Sequence, residues 1–317
     1  MLTRDVWNVH VTFYIYKMIY WEKGKEVIGL KIKTYMLNAF TKNTKGGNPA
    51  GVVLDTKDLT TKGMQAIANK LNFSETAFVL PSVNSDYEIK YFTPNEEVAI
   101  CGHATIATFS LLAQMKEINS KVYTIKTKAG MLNVKIDENK MISLQQNLPN
   151  FLTTLPCKEI IESLNLDEEQ LIPDMPIQIV STGLHDIIIP VRKLSDLLKI
   201  IPDMKRIAEI SKKYNVIGYH VFTLETLYNS TAHCRNFAPL FNVPEESATG
   251  TSNAALACYL IKQNKNLKKH NTFTFEQGYV MDQPSEIIVN VSTDFNNITD
   301  VHVGGFTSNF QEKYIII

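Results

Sequence analysis

From Lys31 to Ala39 the chain alternates polar and apolar side chains, the pattern of a half-buried strand. The turn-rich run Lys45-Gly46-Gly47-Asn48-Pro49 follows, and then the apolar stretch Ala50 to Leu54. Thr60 to Leu71 switches to helical spacing, with Met64, Ile67, Ala68 and Leu71 on one face. Thr76 to Leu80 and Tyr87 to Phe92 read as strands, Cys101-Gly102-His103 leads into an apolar helix from Ala104 to Met115, and Val122 to Lys128 and Met131 to Ile136 form two strands about Ala129-Gly130. In the second half Pro176 to Val180 and His185 to Val191 read as strands and Leu194 to Tyr214 as largely helical. Val216 to Leu224 and His233 to Ala238 are strands, Gly250-Thr251-Ser252 opens a second apolar helix from Asn253 to Lys262, and Thr272 to Glu276 and Glu286 to Val291 are strands.

The order repeats. Phe92-Thr93-Pro94 matches Phe237-Ala238-Pro239; Cys101 follows Phe92 by nine residues and Ser247 follows Phe237 by ten. Each point precedes a small-residue turn and a helix rich in Ala and Leu, and Gly102 to Gly130 and Gly250 to Gly278 both span 28 residues. This predicts an α+β fold of two pseudo-symmetric domains, each a mostly antiparallel sheet or barrel around a central helix. Both helices are apolar nearly all round, so each is expected to be enclosed rather than laid on a surface. The expected units are an N-terminal extension at 1–30, one half at 31–148 and the other at 149–317, with the last strands able to pack back on the first half.

Residues 1–30 lack a clean period. They fit an extra strand, a mobile tail, or sequence upstream of a start at Leu30, since Gly24-Lys25-Glu26-Val27 is what a purine-rich ribosome-binding site would give if translated. Lys+Arg and Asp+Glu both number 32, so no strongly basic face supports a nucleic-acid partner. The longest apolar run, Val11 to Trp21, is too short for a membrane helix and is broken by Lys17. Four scattered cysteines make neither a disulfide framework nor a metal motif, which points to a reducing cytoplasm. Asp174, Asp186, Asp282 and the remaining histidines form no metal-ligand pattern, and the absence of GxGxxG and of a P-loop leaves nucleotide cofactors without support. No cofactor and no metal are expected.

A duplicated fold places its site where the copies meet. Both helix starts then offer free backbone N–H groups and a positive dipole end to an anion such as a carboxylate, and Gly102 and Gly250 allow close backbone approach; relief of packing is the plainer role for those glycines. Glu75 is the lone charge between Lys70 and Asp86, among residues expected to be buried. Desolvation would raise its pKa toward the ~6–7 useful to a general acid/base; a turn cap is the alternative. His103, at a helix start, should be a neutral imidazole for hydrogen bonding, or a packing residue. Cys101 at the same helix start invites a thiol base with a depressed pKa, with Ser247 in the equivalent place and Glu246 beside it, or is simply a small buried hydrophobe. Glu245 and Glu246 read by default as a solvated acidic pair, and Arg235-Asn236 as either a carboxylate clamp or a strand-end salt bridge.

Six segments occur in a familiar order: Asn38-Ala39-Phe40-Thr41 with Gly46-Gly47-Asn48-Pro49-Ala50; Ser74-Glu75-Thr76-Ala77-Phe78; Phe92-Thr93-Pro94; Cys101-Gly102-His103-Ala104-Thr105; Glu246-Ser247-Ala248-Thr249-Gly250-Thr251; and Glu276-Gln277-Gly278. From about Lys31 to Gly305 the set resembles the phenazine-biosynthesis PhzF-like isomerases, relatives of diaminopimelate epimerase and proline racemase. The resemblance implies a diaminopimelate-epimerase-like fold, a homodimer, and no cofactor. It implies a proton shuttle through Glu75 across one face of a small unsaturated carboxylate, with His103 matching the family histidine and Glu246 replacing its aspartate. Asn48, Cys101, Gly102, Ser247, Thr249, Gly250 and Thr251 are the implied substrate-binding set. Thr251 stands where the phenazine enzyme has Ser, and Cys101 keeps the first cysteine of the racemases. The expected activity is therefore a cofactor-independent isomerase of a small carboxylate metabolite. A Cys101-based racemase, epimerase or dehydratase of an amino or hydroxy acid, and a non-catalytic small-molecule binding protein, are the alternatives.

Overall fold

A computed structural model describes residues 16–22, 25–118, 121–263, 269–295 and 297–317. The alternating segment belongs to a longer strand than its pattern marks: β2 (Lys25–Ala39) begins before Lys31 and pairs antiparallel with β1 (Tyr16–Glu22). Part of the N-terminal extension is thus an extra strand; residues 1–15, 23 and 24 lie outside the described residues. The chain continues through β3 (Asn48–Val53), α1 (Thr61–Leu71), β4 (Glu75–Leu80), β5 (Tyr87–Phe92), β6 (Glu97–Val98), α2 (Gly102–Gln114), β7 (Val122–Thr127), β8 (Gly130–Ile136) and β9 (Ile142–Gln145). Then come β10 (Asn150–Thr154), α3 (Lys158–Ser163), β11 (Gln178–Ser181), β12 (His185–Pro190), α4 (Leu194–Lys199), α5 (Met204–Tyr214), β13 (Gly218–Thr223), β14 (Ala232–Ala238) and β15 (Val243–Glu246). The last elements are α6 (Gly250–Gln263), β16 (His270–Gln277), β17 (Ser285–Asp294), β18 (Asn297–Gly305) and β19 (Thr307–Ile316).

The pairings repeat strand for strand. β2–β3 is antiparallel, β3–β4 parallel, β4–β5 and β5–β6 antiparallel, β5–β7 parallel, and β7–β8 and β8–β9 antiparallel. The same sequence of directions runs β11–β12, β12–β13, β13–β14, β14–β15, β14–β16, β16–β17 and β17–β18. The repeats join at the antiparallel pair β9–β18, and each sends a strand to the other: β10, following β9, pairs with β11, and β19, following β18, pairs with β2. The fold is a sheet-dominated α+β architecture of two pseudo-symmetric parts, as the repeat predicts.

α2 and α6 occupy equivalent places in the two repeats and pack against each other. Ala104, Ala107, Phe109, Ala254, Leu256 and Tyr259 of these helices are all buried in one apolar cluster with Ile142 and Val303 of the joining strands. Helices apolar on every side can be satisfied only by such enclosure. The more amphipathic α1 and α5 lie outside, α1 over Val53, Phe78 and Phe92, and α5 over the second sheet. Thr60 caps α1 by accepting the Gly63 N–H, and Asn72 ends it with a left-handed φ of 55°. Leu194 to Tyr214 is two helices rather than one. Pro202 has no N–H and keeps its predecessor out of the helical region, and Asp203 restarts the chain as the N-cap of α5.

Candidate active site

The left-handed turn at Asn72 sends the chain from α1 into β4, whose first residue is Glu75, paired across the parallel ladder with Ala50. Thr76, one residue on, faces the opposite side and is buried, whereas the Glu75 side chain is 22 % exposed. The segment 99–101 returns in extended form, Cys101 becomes the N-cap of α2, and its carbonyl accepts the Thr105 N–H. His103, in the first turn, is thereby brought against Glu75: His103 Nε2 lies 3.3 Å from Glu75 Oε2 and 3.3 Å from Ser74 Oγ. Cys101 Sγ is 3.3 Å from His103 Nδ1 and 3.7 Å from Nε2.

Burial holds His103 below the ordinary histidine range against the pull of the Glu75 carboxylate, so the imidazole is neutral. The Cys101 thiol is pushed well above its usual value by burial and by the charges of Glu75 and Glu246. The Ala104 N–H opposes this at the helix start and is outweighed. The depressed thiol pKa expected of a helix N-terminus is therefore not found.

Glu246 closes β15, and the sequence reading of a solvated acidic pair is corrected here. Its Oε1 accepts from Asn48 Nδ2 at 2.9 Å and its Oε2 from Thr249 Oγ1 at 2.5 Å. Burial, the Glu75 charge and the Asp186 charge push it up to about 7. Glu245 is held instead by Arg235, which also donates to the carbonyls of Leu197 and Ile200. Arg235 is thus a structural cap on the C-terminal end of α4 and not a substrate clamp.

The second helix start is tied down by an amide network. Gln277 Nε2 donates to the Glu246 carbonyl and to Thr249 Oγ1, and its Oε1 accepts from the Thr249 N–H and from Asn253 Nδ2. Ser247 Oγ donates to the Gly47 carbonyl at 3.0 Å, and the Thr251 carbonyl accepts from Thr182 Oγ1. The two glycines differ. A Cβ at Gly102 would meet nothing within 4 Å, so that backbone is open to a ligand; at Gly250 it would meet Phe40 Cζ at 3.2 Å, so packing fixes that residue.

The helix starts also redraw the equivalence between the repeats. Cys101 immediately precedes α2 and Thr249 immediately precedes α6, so Thr249, not Ser247, is the counterpart of Cys101. His103 corresponds to Thr251, and Glu75, first in β4, corresponds to Gly218, first in β13. The thiol and imidazole at the helix starts therefore belong to the first repeat alone, with Glu75 beside them, and the second repeat contributes Glu246, whose charge is felt at Cys101.

In the sequence Asp186 and His220 stand only as groups outside any metal pattern, Asn236 as the neighbour of Arg235 and Gln277 as a motif member, and Asn253 carries no mark of a role. They form a buried polar layer beneath the start of α6, with His220 Nδ1 3.0 Å from Asn236 Oδ1 and Ser252 Oγ donating to Asp186 Oδ2 at 2.7 Å. Burial pushes Asp186 up to about 7 and His220 down to about 4. The available signal was a single charge, Asp186, ahead of the apolar run Ile187 to Ile189, and Gln277 within its motif. A surface cavity of about 250 Å³ between the β11–β12 turn and α5 contains none of the candidate residues. Among the described residues, Glu75, Cys101 and His103 form a group whose potential ligand atoms all lie within 4.8 Å of one another.

Residues 37–312 match the model of the PhzC-PhzF family, phenazine biosynthesis-like proteins. The uncharacterized isomerase YfhB of Bacillus subtilis is 36 % identical over 261 residues, covering 80 % of this chain and 88 % of its own. The crystal structure of the Bacillus anthracis phenazine biosynthesis protein of the PhzF family superposes with a TM-score of 0.84 at 29 % identity, over 90 % of this chain and 99 % of that one. A hydroxyproline epimerase from Agrobacterium vitis, at 12 % identity, shares the fold with a TM-score of 0.60 over 90 % of this chain and 91 % of that one. With the family match spanning most of its length, the chain belongs to the phenazine biosynthesis-like PhzC-PhzF family and is an isomerase.

Proposed function

We propose that this isomerase acts without a cofactor on a small, unsaturated carboxylate metabolite, with Glu75 removing a proton from one carbon and returning it to another on the same face. The observation that carries this reading is the unlike pair of helix starts, with Cys101 and His103 at α2 and Thr249 and Thr251 at α6. A two-base racemase of the thiol type needs a second thiol at the start of α6, where this chain has Thr249, whose hydroxyl is given to Glu246. Ser247 is likewise engaged, with the Gly47 carbonyl. Glu75 keeps the exposure needed to reach a substrate and has neutral His103 beside it, 3.3 Å from its Oε2. Glu246, poised near neutrality, serves as a second acid/base across the site from Glu75.

The N-terminus of α2, with open space above Gly102, is suited to hold the substrate carboxylate through backbone N–H groups and to stabilise charge as the proton moves. Asn48, Thr249, Gly250 and Thr251 complete the binding wall. The rival Cys101-based chemistry is disfavoured because burial keeps the sulfur protonated. The family resemblance supports a homodimer, and the four free cysteines support a cytoplasmic setting.

The test is incubation of a library of small carboxylates with the enzyme in heavy water, with mass spectrometry to identify the compound that gains deuterium. Glu75→Gln should lose turnover of that compound by ~10²–10⁴-fold, the usual contribution of a positioned acid/base, while melting like the parent. Cys101→Ala should largely spare it. Unchanged turnover by Glu75→Gln, or abolition by Cys101→Ala alone, would assign the chemistry to the thiol instead.

A further inference from the structure

We propose that Glu75, Cys101 and His103 together form a binding site for a thiophilic divalent cation of the Zn2+ type, and that its occupancy blocks the proton shuttle. The blocking half of this inference rests on the isomerase reading above; the binding half stands on the donor set alone.

Three chemically different donors converge from two elements: a sulfur at the N-cap of α2, an imidazole in its first turn, and a carboxylate on β4. A tetrahedral ion with Zn–S of ~2.3 Å and Zn–N or Zn–O of ~2.0–2.1 Å sets its ligand atoms ~3.3–3.6 Å apart. Two of the three pairs are 3.3 Å (His103 Nε2 to Glu75 Oε2) and 3.7 Å (Cys101 Sγ to His103 Nε2), and all three donors lie within 4.8 Å of one another. Small side-chain rotations would therefore place all three around one ion. Glu75 Oε2 is a buried oxygen with no hydrogen bond, and Cys101 and His103 are 7 % and 6 % exposed, so most of the donor set is already out of water. The partial exposure of Glu75 leaves a path for the ion and a fourth position for water.

Sulfur and imidazole ligands select Zn2+ and its relatives over Mg2+ and Ca2+, which take oxygen ligands. Binding replaces the thiol proton by the ion, and the proton leaves to solvent: Cys–SH plus M2+ gives Cys–S–M+ and H+. The thiolate and the Glu75 carboxylate then neutralise the ion. The α2 dipole opposes a cation but stabilises the thiolate once it forms. Because one proton is released, affinity should tighten about tenfold per pH unit while the free thiol remains protonated. An ion held on Glu75 and His103 Nε2 occupies the atoms the shuttle needs.

Co2+ titrated into the full chain, in a Cys157→Ser background that removes the one cysteine that is not buried, reads the site directly. One equivalent should produce a near-ultraviolet thiolate-to-cobalt band with the intense visible bands of a tetrahedral ion, both discharged by Zn2+. Cys101→Ser should abolish the thiolate band, and His103→Ala or Glu75→Gln should weaken binding at least tenfold. Glu75→Gln alters a partly exposed side chain and keeps the test valid should a core variant fail to fold. Absence of the band, or its persistence in Cys101→Ser, overturns the proposal. If the band forms but Glu75→Gln leaves deuterium exchange intact, the ion site stands and the shuttle through Glu75 falls.

Discussion

At the scale of single residues, the carboxyl groups Glu246 and Asp186 give the protein a pH signature. Both hold their protons in the folded state up to about pH 7, whereas the unfolded chain releases them near 4.5 and 3.8. Unfolding between those values releases protons, so each group contributes a loss of stability as pH rises, complete above about 7. Replacing Asp186 with Asn keeps the shape and a partner for Ser252 and removes the ionisation. The variant should gain stability relative to the parent as pH is raised from 5 to 8, with the difference flat below pH 4, as urea titrations at several pH values would reveal. It should also lower the pKa of Glu246, read by carboxyl carbon NMR. Glu75 and His103 were legible in the sequence because motif and isolation in an apolar run marked them. Glu246 was marked by its motif alone, because Asn48, which holds it, lies some two hundred positions away and adjacency to Glu245 suggested solvent. At Cys101 the plainer reading, a small buried hydrophobe, fits the structure: the helix start is outweighed by burial first and then by the charges of Glu75 and Glu246, which arrive from β4 and β15.

Among the elements, α2 and α6 were readable because helices apolar on all sides must be enclosed, and enclosure by a sheet follows. α4 and α5 show the limit: their apolar positions mark the stretch as largely helical, and the break between them comes at Pro202. The strand β6 and the edges of β15 carry too little pattern to be seen, since their residues are held by partners rather than by alternation. Arg235 joins these elements, pairing bidentate with Glu245 and supplying donors to two carbonyls at the end of α4. It is 4 % exposed, so Arg235→Ala leaves Glu245 and the Ile200 carbonyl without this partner in the interior, and the Leu197 carbonyl with the Ile200 N–H alone. The expected cost is roughly 3 kcal/mol, the range for breaking a buried pair, measurable by denaturant unfolding. Arg235→Lys should recover only part of it, because an ammonium cannot reproduce the fork. Activity per folded molecule should not change, which separates this residue from a substrate clamp.

For the whole molecule, the duplication was legible in two 28-residue spacings and a pair of Phe-x-Pro marks, and the repeated ladder of parallel and antiparallel pairs carries it through every strand from β2 to β9 and β11 to β18. What the spacings misaligned is the helix-start register. Three more residues separate Phe237 from Gly250 than Phe92 from Gly102, and β15 is longer than β6, so counting forward from the phenylalanines paired Cys101 with Ser247. A deletion ending the chain at Gly305 would strip β19 from β2 and uncover Ile32, which is 2 % exposed. The expected result is a lower melting temperature and aggregation through the bared strand edge, seen by calorimetry and light scattering, although no candidate site residue is removed.

The reciprocal loan of β10 and β19 has a consequence for ancestry. Each repeat carries both a trailing strand and a strand that receives one, β2 in the first and β11 in the second. Strand and seat come as a complementary set within one repeat, so the exchange is a property of the duplicated unit, and a single backbone fixes at unit stoichiometry a partnership that separate copies would make only at sufficient concentration.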